Sequence, residues 1–80
     1  MSGAYTSVAV TPADGTDLPN GPCDWIYVGV TGDVVYYGPA TGSTSLTLKA
    51  AAVGYHPINM KRILSTGTTA TNILALYDVK

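Results

Sequence analysis

The sequence predicts a small all-β domain, an antiparallel β-barrel or β-sandwich of about six short strands. Three observations predict it. Several short stretches alternate apolar and polar residues with a period of two, Gly-, Pro- and Asp-rich turns separate them, and no segment sustains the apolar repeat of a long helix. The whole chain, 1–80, reads as one β domain, with 11–22 a Pro- and Gly-rich loop or arm.

In order, Tyr5 to Val10 (YTSVAV) is a first strand, with Thr6, Val8 and Val10 on one face and Tyr5, Ser7 and Ala9 on the other. Thr11 to Pro22 holds three prolines and two glycines and cannot form a regular element. It either packs on the body or reaches a neighbour. Asp24 to Val30 (DWIYVGV) is rich in aromatic and β-branched residues, and Ile26, Val28 and Val30 are expected to face the core. Thr31-Gly32-Asp33 then turns into Val34 to Tyr37 as a hairpin, and 38–43 reads as a flexible connection. Thr44 to Lys49 places Leu46 and Leu48 inward, and Ala50 to Val53 reads as a single helical turn ended by Gly54.

The best-formed pair of strands is expected in Pro57 to Tyr77. Its first arm alternates Ile58, Met60, Arg62 and Leu64 with Asn59, Lys61 and Ile63, and its second arm is apolar on both faces, as a doubly covered strand would be. Ser65 to Thr71 would join the two arms as a hairpin turn, using Gly67 and its hydroxyls.

Composition narrows the function. Only 11% of residues are charged, against about 25% in an average soluble domain, so much of the surface is neutral and easily desolvated. A net charge of −1 with one basic pair, Lys61-Arg62, argues against nucleic acid as a partner. No apolar run approaches the ~18 residues of a membrane span, so no membrane partner is expected. Met1 to Ala4 lacks the features of a signal peptide, which leads to an expectation of assembly in the cytoplasm with Cys23 reduced. A chain this short has a marginal core, one cysteine and no Cys/His cluster, and oligomerisation is the common remedy.

No chemistry is legible. His56 beside Pro57 reads as a loop residue, since the chain has no nucleophile elbow. Asp14, Asp17, Asp24 and Asp33 match no calcium loop and suit turns, and neither Gly29 to Gly32 nor Thr66 to Thr69 has the ending of a phosphate loop. Cys23 lacks a basic neighbour and reads as an apolar filler. No enzyme activity, cofactor or metal is expected. Trp25, Tyr27, Tyr36 and Tyr37 are candidate interface anchors on two adjoining strands, and Arg62 is a candidate for an intersubunit ion pair.

Val10-Thr11-Pro12 with Asp14, Asp17-Leu18-Pro19, Ile26-Tyr27-Val28-Gly29 with Gly32-Asp33, Lys61-Arg62-Ile63-Leu64, Thr66-Gly67-Thr68-Thr69-Ala70 and Leu74-Ala75-Leu76-Tyr77 together resemble the head spike base proteins of gene transfer agents and tailed bacteriophages. The similarity runs from about Val8 to Tyr77. It implies a virion structural protein on the capsid surface, a decoration or cement protein that forms a homo-oligomer, trimer or pentamer, contacts the major capsid protein and can carry a head fibre protein. Asp24-Trp25, Tyr36-Tyr37 and Ala50-Ala51-Ala52 depart from the family's pattern. With the resemblance in place, Pro12, Leu18 and Pro19 of the arm become candidate capsid or neighbour contacts, with 11–22 as a strap separable from the body. Arg62, Thr68 and Thr69 become candidate subunit contacts. The rival reading is a small-ligand or glycan-binding β module that uses exposed Trp and Tyr rings.

Overall fold

A computed structural model of the chain describes residues 5–39 and 44–78. Met1 to Ala4, the 40–43 part of the expected connection, and Val79 lie outside the described residues. Among the described residues seven strands form two antiparallel sheets in a sandwich-like arrangement: β1 (Tyr5–Ala9), β2 (Trp25–Val30), β3 (Gly32–Tyr37), β4 (Ser45–Ala51), β5 (Gly54–His56), β6 (Arg62–Ile63) and β7 (Thr71–Asp78). One sheet has the order β1-β7-β2-β5 and the other β4-β3-β6.

The alternation read from the sequence fixes the two faces of each strand. Register pairs Val28 with Ile73 and Ile26 with Ala75 on the inner face of the four-stranded sheet, and these four meet Val34, Ala51 and Ile63 of the other sheet in the core. Leu18, Cys23, Met60 and Ala70 fill the core from the connections. Fully burying side chains of this size contributes roughly 1.5–3 kcal/mol each, which makes even this small core decisive for stability.

Several expectations are corrected. The arms of Pro57 to Tyr77 are not a hairpin: β6 pairs with β3 in one sheet, and β7 lies between β1 and β2 in the other. Thr68 and Thr69 explain why. Their hydroxyls accept from Val35 N and Asp33 N at 2.9 Å each, so the 65–70 turn is tied to β3 and carries the chain across to the second sheet. Residues 57–60 are not strand; Met60 is buried and its carbonyl accepts from Cys23 N. The expected hairpin at Thr31 to Asp33 is likewise absent, because β2 and β3 belong to different sheets. A Cβ on Gly32 would lie 2.5 Å from Ala70 N, so only glycine lets the chain cross there.

Ala50 to Val53 is not a helical turn. Ala50 and Ala51 end β4, and Ala50 has a φ of 48° at a register shift between Gly32 and Val34. The Asp33 carboxylate accepts from Ala50 N at 2.8 Å, satisfying the amide that the bulge frees. Val30, expected in the core, is 46% exposed at the end of β2, and Leu46 is 39% exposed where β4 runs past the core.

The 11–22 segment packs on the body. Ala13 N and Leu18 N donate to Ile63 O and Lys61 O, covering the edge that β6 would otherwise leave open. Leu18 is 8% exposed and joins the core, while most of the other residues of the segment are exposed.

Candidate functional site

The two outer faces of the sandwich differ in chemistry, and the difference follows from strand register. On the four-stranded sheet, Ile26 and Val28 point inward, so Trp25 and Tyr27 point outward. Their register partners on β7 are Leu76 and Leu74, Tyr55 of β5 stands opposite Tyr27, and Ser7 of β1 stands opposite Leu76. Tyr5 and Trp25 meet edge-to-face with centroids 6.0 Å apart, and Tyr27 and Tyr55 at 5.0 Å. These residues line an open groove of about 660 Å³. Among the described outward residues of this sheet only Asp78, opposite Tyr5, carries a charge.

The outer face of the three-stranded sheet is polar and already engaged within the chain. Tyr37 lies under both basic side chains of the pair, with Arg62 Cζ at 5.3 Å and Lys61 Nζ at 5.9 Å from its ring centroid. Arg62 Nε donates to Asp17 at 2.7 Å and its Nη1 to the Asp14 carbonyl at 2.9 Å. The Asp14 carboxylate accepts from Ser65 N, Thr66 N and the Thr66 hydroxyl, and these bonds, the Thr66 hydroxyl first, hold its pKa below the ordinary aspartate value. Asp33, bonded to Ala50 N and then to Lys49, is lowered in the same way.

The structure distributes the residues singled out from the sequence. Trp25 and Tyr27 come together in the aromatic groove. Tyr36 faces the core and Tyr37 the polar face, so the four aromatics do not form one patch. Pro12 and Thr68 line one shallow depression, and Leu18 and Pro19 another. Arg62 has its ion pair inside its own chain, and the hydroxyls of Thr68 and Thr69 bond to β3. Sequence reasoning missed Tyr5 and Tyr55, which complete the groove. The signal for Tyr55 was the alternation of Val53 and Tyr55 with Gly54 and His56, which marks a short strand.

Among the described residues no group of three or more His, Cys, Asp or Glu stands close enough to hold a metal ion. Burial raises the Cys23 thiol pKa above its ordinary value, as expected of a filler and not of a nucleophile.

No protein-family model matches the chain, and no curated protein does. A solved structure described as "Capsid of native GTA particle computed with C5 symmetry" contains a chain with the same fold, at a TM-score of 0.79 and 29% identity over 94% of this chain and 84% of that one. The protein is similar to a gene transfer agent capsid chain. The likeness agrees with the resemblance read from the sequence, and it spans both sheets, so the aromatic groove and the polar face lie within the similar region.

Proposed function

We propose that this chain is a non-enzymatic virion structural protein that decorates the outside of a gene transfer agent or phage capsid as a homo-oligomer. The observation that carries the reading is its likeness, over 94% of its length, to a chain of a gene transfer agent capsid. The surface chemistry supports it: the charges of the polar face have partners within the chain, and the four-stranded sheet offers neutral aromatic surface that is cheap to desolvate.

The mechanism is cementing. Each copy makes a modest contact with the major capsid protein, and repetition on a symmetric shell multiplies modest contacts into stable attachment. Copies stand in symmetric sets of three or five on the shell; the similar chain comes from a particle computed with C5 symmetry, which is a symmetry of the whole particle. A ring needs two different patches on each copy. A head fibre protein would mount on the polar face, and assembly takes place in the host cytoplasm.

The rival reading, a module that binds a small ligand or glycan, is favoured by one observation, the aromatic groove present in a single protomer. Mixing the purified protein with undecorated capsids and counting the copies that sediment with them separates the two. Saturable occupancy in multiples of three or five supports decoration. Absence from the capsid fraction, with a ligand-induced shift of Trp25 fluorescence, would reject it in favour of the module.

A further inference from the structure

Resting on that reading, we infer that the outer face of the four-stranded sheet is the surface that seats on the shell, and that its occupant is an uncharged apolar ridge of the assembled major capsid protein. Three features of the face select this occupant.

The first is charge. Among the described residues, Trp25, Tyr27, Tyr55, Leu74 and Leu76 make a largely apolar surface whose charge is confined to the corner where Asp24 accepts from Asp78 N. A basic or acidic partner surface would be desolvated here without a counter-charge, which is strongly unfavourable, so the fitting partner is neutral.

The second is size. Four strands spaced about 4.8 Å apart and about five residues long at roughly 3.3 Å per residue give a face of roughly 300 Å². A stable pair of proteins buries about 800 Å² on each partner, so two copies joined through this face alone would not hold. A shell removes the shortfall, because neighbouring copies that are also joined to one another attach together.

The third is symmetry. Two copies packed through the same face close as a two-fold dimer, a symmetry different from the three- or five-fold sets proposed for the shell. In such a set this face meets the shell and not a copy of itself. Its shape agrees, since an open groove between the Tyr5–Trp25 and Tyr27–Tyr55 ring pairs accepts a protruding apolar ridge better than it accepts another groove.

The test uses the full chain and undecorated capsids assembled from the major capsid protein. Tyr55 is 65% exposed and Tyr5 37%, so the double variant Tyr5→Lys, Tyr55→Lys places two charges on the face with little effect on the core. Thr47→Lys places one on the opposite, polar face, where Thr47 is exposed on β4. Circular dichroism and thermal melting first establish that both variants fold. The double variant is expected to lose at least tenfold in capsid affinity and Thr47→Lys less than twofold, with both sedimenting in solution as the unsubstituted chain does. Near-normal capsid binding by the folded double variant would overturn the inference. So would a dimer of the unsubstituted chain that the double variant dissociates, because the occupant would then be a second copy. Failure of the unsubstituted chain to bind capsids is a different result, and it refutes the decoration reading itself.

Discussion

Replacing Gly32 by alanine tests how the chain passes from one sheet to the other. The new Cβ would lie 2.5 Å from Ala70 N, 2.7 Å from Thr69 C and 2.8 Å from Ala70 Cα, all of them backbone atoms that no rotamer change can move. The same strand of backbone is held to β3 by Thr69 N and Ala70 N, which donate to Asp33 O at 2.9 and 3.1 Å. Relieving the overlap means shifting the chain by several tenths of an ångström and stretching both bonds. Overpacking of this kind costs about 1–3 kcal/mol, and the absence of a flexible neighbour places Gly32→Ala near 3 kcal/mol. A chain of this length has roughly 4–12 kcal/mol of stability in total, so the variant loses a large share of it. The expected fall in Tm is roughly 12–24 °C, at about 4–8 °C for each kcal/mol in a domain of this size. Urea and thermal melts followed by the fluorescence of the single tryptophan, Trp25, read the change directly. Gly15→Ala is the matched control, since a Cβ there meets nothing within 4 Å and the shift should stay within about 0.5 kcal/mol. Equal midpoints for the two variants would refute the steric account of the crossing.

Leu18→Ala should cost about 2–5 kcal/mol in the same melts, because Leu18 is a core residue; excising 11–22 should therefore unfold the body and not release an arm. Thr68→Val removes the acceptor for Val35 N and should cost about 1–2 kcal/mol, whereas Thr66→Val on the exposed side should cost less. Acid should weaken the fold. Asp14 and Asp33 have folded pKa values below their unfolded ones, so the stability they add is present above the usual aspartate value of about 3.9 and is lost as pH falls through the folded values. A urea midpoint that falls between pH 5 and pH 2, and falls less in an Asp14→Asn, Asp33→Asn variant, checks this. Cys23 is fully buried with a raised pKa, and a thiol reagent at pH 7 should label it only at the rate of unfolding.

Strand positions were legible in the sequence because each strand's alternation is local. Ile26 and Val28 against Trp25 and Tyr27, and a β7 apolar on both faces, could be read directly, and β7 is indeed a central strand with the core on one side and aromatic rings on the other. Strand partners were not legible, because pairing depends on contacts far apart in sequence. Thr68 and Thr69 look like ordinary turn residues until β3 is placed beside them, and only then does their bonding divert β6 and β7 into different sheets. The groove was half legible for the same reason. Trp25 and Tyr27 lie on one recognisable strand, but Tyr5 and Tyr55 reach them only through register across β7 and β2. Tyr36 and Tyr37 are adjacent in sequence, and so must face opposite sides of their strand; neither could join that face once β3 entered the other sheet.

The central claim is that this small sandwich seats on a capsid through its aromatic face. A reconstruction of decorated capsids, fine enough to trace the seven strands, tests it most directly. The account predicts copies in symmetric sets with the sheet of β1, β7, β2 and β5 against the shell and the Tyr37–Arg62 face toward solvent or a fibre. Density with the polar face on the shell and the aromatic groove open to solvent would contradict it.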